Sequence, residues 1–159
     1  MKKSVSIIAV GKMKNPHWQD AAKDYLQRLG RSWQIKLTTV REARDQAPEE
    51  RNSREGAFIL EALADMDGGT ALPIVLDEGG ELCTSVQFAK LLQLCWEKDN
   101  RIPCFIIGGA YGLSPEVLRR AGRVLALGTM TFPHELAQVL LLEQLYRADT
   151  ILRGAPYHH

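Results

Sequence analysis

The sequence predicts an α/β fold: a mainly parallel sheet with helices on both faces. Three observations lead there. Short apolar runs rich in β-branched residues alternate along the chain with longer stretches of helical periodicity. The runs Val5–Val10 and Ile102–Ile107 are apolar almost throughout, as strands covered on both faces must be. The chain has 159 residues, enough for one domain spanning 1–159 with a sizeable core of its own.

Each element has its own signal. Val5–Val10 is a buried strand, closed by Gly11. Asn15-Pro16 is a helix cap followed by proline at the first helical position. Trp18, Ala21, Ala22, Tyr25, Leu26 and Leu29 then fall at helical spacing, and Gly30 stops the run. Trp33, Ile35 and Leu37 alternate with polar residues, which predicts a second strand with one wetter face. A charged stretch from Arg41 leads into a helix from about Glu49 to Met66. Leu72–Leu76 is the third strand, ended by Asp77-Glu78-Gly79-Gly80. Thr84 and Gln87 have capping-box spacing, and Phe88, Leu91, Leu92, Cys95 and Trp96 continue as a helical stripe. Ile102–Ile107 is the fourth strand, Pro115–Ala121 a short helix, and Val124–Leu127 the fifth strand.

The last helix, from Glu135 to about Thr150, is apolar on more than one face. Leu136, Val139, Leu140, Leu141, Leu142, Leu145 and Tyr146 nearly encircle it, so it must be covered on all sides. A helix of so small a domain does not easily lie at the centre, and a subunit interface would cover its outer face.

Composition narrows the function. Net charge is +1, from 20 basic and 19 acidic residues, so phosphate contacts alone do not hold this chain to nucleic acid. Work on nucleic acid would need a local patch, a dimer surface or a larger assembled substrate. Arg41, Arg44, Arg51 and Arg54 form such a patch, diluted by Glu42, Asp45, Glu49, Glu50 and Glu55. It is either a solvated mixed-charge face or a loop that touches phosphate. Cys83, Cys95 and Cys104 are odd in number and lack close pairing, which argues against disulfides and zinc. No apolar run reaches the ~20 residues of a membrane span, and the stretch after Met1-Lys2-Lys3 is too short for a signal peptide. A cytoplasmic location with no membrane partner is the expectation.

In parallel sheets, ligands sit beyond the carboxyl ends of the strands. Three such ends run into small-residue loops: Leu76-Asp77, Gly108-Gly109-Ala110-Tyr111-Gly112, and Leu127-Gly128-Thr129-Met130-Thr131-Phe132. The dinucleotide fingerprint G-x-G-x-x-G fails, because position 107 is Ile and Phe132 stands where the ribose acid belongs. No phosphate loop and no G-x-S-x-G elbow is present. His17, His134, His158 and His159 have no metal-ligand spacing, so no metal is expected. What remains is a flat polar ligand held largely by main-chain groups, with Gly108, Gly109 and Gly128 letting the backbone come close.

These residues resemble the ribosomal RNA large subunit methyltransferase H family. The resemblance covers nearly the whole chain. It starts with Ile8-Ala9-Val10-Gly11-Lys12, passes through Val75-Leu76-Asp77 and is strongest in Ile107-Gly108-Gly109-Ala110-Tyr111-Gly112-Leu113-Ser114. It closes with Thr131-Phe132-Pro133-His134, Glu143-Gln144-Leu145-Tyr146-Arg147-Ala148 and Pro156-Tyr157-His158.

The resemblance implies a SPOUT-type fold with a C-terminal trefoil knot, and a homodimer. It implies S-adenosylmethionine as methyl donor and N3 of a pseudouridine in large-subunit ribosomal RNA as acceptor, on the assembled ribosome. Leu76, Gly108, Leu127, Gly128, Thr129, Met130, Thr131 and Phe132 would hold the donor. Tyr157 and His158 match the family's C-terminal motif and would serve the acceptor, whose N3 proton must leave. The family usually has a basic residue after that histidine, and here it is His159. Two rivals stand beside this: a SPOUT enzyme of transfer RNA, for which no separate RNA-binding segment remains, and a non-catalytic ribosome-associated dimer.

Overall fold

The computed structural model describes residues 2–44 and 47–159. In chain order the elements are β1 (Lys3–Val10), α1 (Pro16–Leu29), β2 (Trp33–Val40), α2 (Pro48–Ala64), β3 (Ala71–Glu81), α3 (Ser85–Glu97), β4 (Ile102–Ile107), α4 (Pro115–Arg120), β5 (Arg123–Leu125) and α5 (His134–Arg153). The strands form one five-stranded sheet of order β2-β1-β4-β3-β5, with every neighbouring pair parallel. The predicted fold class is therefore the observed one.

Side chains alternate across the sheet, and each face has its own core. Val5 and Ile7 of β1, with Phe105 and Ile107 of β4, join residues of α1, α3 and α5 on one face. Ile8 and Val10 of β1, with Cys104 and Ile106 of β4, join Ile59, Leu63 and Val117 of α2 and α4 on the other. Ile7, Ile8 and Phe105 are 0% exposed, and each such side chain contributes about 1.5–3 kcal/mol by leaving water.

The helix starts follow the sequence closely. The Asn15 side chain accepts from the His17 amide at 2.9 Å, ahead of α1. At α3 the Gln87 amide donates to Thr84 Oγ1 at 3.1 Å while Gln87 Oε1 accepts from the Thr84 amide at 2.8 Å. α5 ends at Gly154, which is left-handed at φ 67°, and the Ala155 amide closes the turn on the Thr150 carbonyl at 2.9 Å.

Three expectations need correction. β3 does not stop at Leu76 but runs on to Glu81, with a register shift between Leu76 and Glu81 against β5. Gly80 permits this as a point of close contact: a Cβ there would meet the Leu125 backbone at 2.6 Å. β5 is shorter than expected and ends at Leu125, because the chain beyond Ala126 leaves the ladder. Finally, α5 lies between α1 and α3 against the sheet, and none of its residues before Arg153 is fully exposed in the single chain. Leu136 and Leu140 stay half-buried, so the outer strip left for a partner is narrower than its composition implied.

Candidate functional site

The sheet register builds the site. Leu76 pairs with Ile107 of β4 on one side and with Leu125 of β5 on the other. Leu76, Ile107 and Leu125 therefore lie at one level of the sheet: β4 and β5 end there and open into their loops, while β3 carries on past it through Asp77 and Glu78. Between them lies a cavity of about 870 Å³. Its floor is Leu76 and Ile107, its walls are residues 108–113, 127–128 and 130–133, and the first turn of α5 closes it with His134 and Ala137.

Hydrogen bonds hold these loops in place. The Thr131 hydroxyl binds the Glu78 carboxylate, tying the β5–α5 loop to the end of β3. Asp77 Oδ2 accepts from the Gly79 amide at 2.9 Å. Glu135 accepts from the amides of Lys14 and Asn15, which pins the start of α5 to the β1–α1 loop. Asn52 of α2 donates to the Tyr111 carbonyl at 2.8 Å and steadies the glycine-rich loop from outside. By contrast, among the described residues no backbone–backbone hydrogen bond engages 127–132. Without backbone partners, amides and carbonyls of this loop can serve a ligand.

Seven of the eight residues expected to hold a donor line this cavity: Leu76, Gly108, Leu127, Gly128, Met130, Thr131 and Phe132. Thr129 does not. Met130 is at the rim and 76% exposed, so in the single chain it encloses nothing. Gly108 works differently from the expected open approach. A Cβ there would lie 2.7 Å from the Gly112 carbonyl oxygen and 2.9 Å from Leu113 Cγ, so the missing side chain lets the loop fold onto itself. At Gly128 a Cβ would meet only the Phe132 ring, at 3.6 Å, so that position does leave room.

Tyr157 and His158 are elsewhere. The Tyr157 ring packs edge-on against Tyr146, with centroids 4.8 Å apart, and its hydroxyl donates to Glu143 Oε1 at 3.4 Å. The Arg147 guanidinium lies 4.8 Å from the Tyr157 ring centroid and reaches His158 Nδ1 at 3.3 Å. These anchors are on the later turns of α5, whereas the cavity uses its first turn. From His134 to Glu143 the helix rises roughly 14 Å. Burial, with the Tyr25 hydroxyl and Glu143 adding to it, pushes the Tyr157 phenol up to about 12. That group stays protonated near neutral pH and can donate a hydrogen bond, but it cannot act as a base.

One residue was missed. Glu55 on α2 is 5% exposed, and its Oε2 accepts from the Ala43 amide at 3.0 Å. Its other oxygen sits behind Gly109, where a Cβ would come within 2.9 Å. Burial raises its pKa above the usual carboxylate value; the Ala43 amide opposes this, Glu42 adds to it, and Arg51 and His134 oppose it weakly. In sequence it looks like one more acid on a mixed-charge face, so only the fold exposes it. No cluster of potential metal ligands is present among the described residues.

The profile described as "Predicted SPOUT methyltransferase" matches residues 3–158. This chain belongs to the SPOUT methyltransferase family. It is 51% identical over 158 residues to the ribosomal RNA large subunit methyltransferase H of Oleidesulfovibrio alaskensis, covering 99% of each chain. It is 52% identical over 159 residues to the protein of that name from Nitratidesulfovibrio vulgaris strain Miyazaki F, again covering 99% of each. Among solved structures it resembles a probable methyltransferase from Bordetella pertussis, with TM-score 0.56 and 15% identity over 92% of this chain and 94% of that one. A ribosomal RNA small subunit methyltransferase E from Neisseria gonorrhoeae, bound to S-adenosyl methionine, superposes with TM-score 0.50 and 11% identity over 93% of this chain and 66% of that one. These structural likenesses support the fold.

SPOUT methyltransferases use S-adenosylmethionine. The cavity fits that donor on its own chemistry. Its volume lies within the range of about 300–1,000 Å³ usual for small ligands. Leu76, Leu127 and Phe132 offer apolar walls for a flat base, the unpaired main chain of 127–132 offers donors and acceptors for its edge, and Asp77 and Glu78 bring negative charge for a cationic sulfonium.

Proposed function

We propose that this chain methylates N3 of a pseudouridine in large-subunit ribosomal RNA, on the assembled ribosome, with S-adenosylmethionine as donor. It acts in the cytoplasm as a homodimer of single-domain chains spanning 1–159. The observation that carries this is that the ends of β4 and β5 open level with Leu76 of β3 around main chain without backbone partners, in a SPOUT chain about half identical over its full length to proteins named for ribosomal RNA methylation.

Bound S-adenosylmethionine supplies a methyl group on a good leaving group, so the protein's main task is alignment. Leu76, Leu127 and Phe132 hold the adenine between apolar surfaces, and the main chain of 127–132 reads its polar edge. Gly108 keeps its loop folded so that this wall stays in place. Asp77 and Glu78 stabilise the positive charge, and first-turn packing of α5 keeps water from one side.

At the acceptor, the His158 ring offers a nitrogen to take the N3 proton, while the Tyr157 phenol donates a hydrogen bond. In one chain these side chains lie along α5, away from the cavity. A second copy whose tail reaches the first copy's pocket joins the two halves, and the half-buried Leu136 and Leu140 supply apolar surface for such a pairing. The trefoil knot belongs to the same proposal.

The test is mass spectrometry of ribosomal RNA after incubating ribosomes that lack the modification with this protein and isotope-labelled donor. One labelled methyl on a large-subunit pseudouridine is the expected result. Label absent, or found only in transfer RNA, refutes the proposal.

A further inference from the structure

The rim of the cavity carries an aromatic side chain that donor binding does not explain. Tyr111 is 51% exposed although it lines the cavity, and it sits on the loop that Asn52 fixes by its carbonyl at 2.8 Å. The Arg51 guanidinium of α2 lies 5.2 Å from the centroid of its ring. A large exposed aromatic on a pinned loop costs little further entropy when something stacks on it. Further along α2 and the β2–α2 loop, Arg41, Arg44 and Arg54 are exposed. Glu42, Glu49 and Glu50 dilute the charge, so the patch is local, consistent with a single contact and not a long groove.

We propose that Tyr111 is a stacking platform for a single-stranded ribosomal RNA base next to the target nucleotide, with Arg51 beside it for the adjoining phosphate. Sequence-specific RNA recognition works on unstacked bases laid against aromatic rings and guanidinium planes, and the Tyr111–Arg51 pair offers both at the mouth of the methyl-donor cavity. Tyr111 thereby positions the acceptor strand. This inference rests on the ribosomal RNA reading above.

The test is steady-state methylation of ribosomes by Tyr111→Ala, Tyr111→Phe and Tyr111→Trp, with S-adenosylmethionine at saturation so that donor affinity drops out. Stacking on one aromatic side chain predicts a rise of about 5- to 150-fold in the KM for ribosomes in Tyr111→Ala. Phe and Trp keep the ring face and keep the wild-type KM. An unchanged KM in Tyr111→Ala overturns the proposal, and so does a Phe variant as impaired as the Ala variant. Photo-crosslinking from position 111 is expected to reach ribosomal RNA; a crosslink to a ribosomal protein instead also overturns it. If the wild-type protein transfers no methyl group to ribosomal RNA, the broader reading fails first, which separates the two failures.

Discussion

Replacing Gly108 with alanine adds one methyl group where the glycine-rich loop has no space. The new Cβ would stand 2.7 Å from the Gly112 carbonyl oxygen and 2.9 Å from Leu113 Cγ. Favourable heavy-atom contacts lie near 3.5–4.0 Å, so the loop must yield by roughly 1 Å. Backbone, not a flexible side-chain tip, is what blocks the methyl, and overpacking of this kind costs about 1–3 kcal/mol. The strain has two outlets. If the loop stays put, the whole cost appears as lost stability, about 2–4 °C in Tm for each kcal/mol in a chain of this size. If residues 108–113 move away, they carry one wall of the cavity with them and the donor binds about 5- to 150-fold more weakly. Calorimetric titration with S-adenosylmethionine and a thermal melt on the same sample measure both. Gly128→Ala is the comparison: its methyl meets only the Phe132 ring at 3.6 Å, so it should melt like the wild type. Should Gly108→Ala both melt and bind like the wild type, the loop is not the fixed wall described here and the placement of the donor falls with it.

Other predictions follow from particular side chains. Glu55 has a raised folded-state pKa, so the protonated form is favoured in the native state; its contribution is fully present below the ordinary carboxylate value and is lost as pH rises through the folded one. Glu55→Gln should therefore raise Tm near neutral pH and flatten the stability profile on the mildly acid side, and equal profiles for the two proteins would contradict this. Removing residues 156–159 takes away Tyr157 and His158 but no cavity residue, so donor affinity should persist in calorimetry while methyl transfer to ribosomes is abolished; full activity would rule out a role for the tail. Burial pushes the Cys104 thiol up to about 12, whereas Cys83 is exposed. Alkylation under native conditions, followed by peptide mass spectrometry, should mark Cys83 first and reach Cys104 only after unfolding.

The parts of the fold that depend on local signals were legible in the chain. Asn15, and Thr84 with Gln87, each cap the helix that their spacing announced. The alternation of strand and helix was enough to place three loops at one end of a parallel sheet, because crossover connections leave few other arrangements. What failed depended on contacts between distant residues. Gly79-Gly80 carries the composition of a turn, yet Gly80 is there because the Leu125 backbone passes against it. Thr129 belongs to the right loop but does not line the cavity, and neighbouring residues of a loop give no sign of which one does so. The tail motif marks Tyr157 and His158 but is silent on where α5 carries them. Glu55 was hidden because burial of a single acid leaves no periodic trace in a mixed-charge helix.

The strand order has a consequence for how the chain comes into being. β1 is synthesised well before β4, yet the two are neighbours in the sheet, with Ser6 set opposite Cys104. At about 5–20 residues per second, translation leaves that side of β1 without its partner for roughly 5–20 s. No hairpin shortens the wait, since every strand pair is parallel and needs a crossover. A nascent chain of this protein thus presents an open, apolar strand edge to its surroundings until β4 arrives. Chaperone demand during translation should fall steeply once β4 has left the exit tunnel.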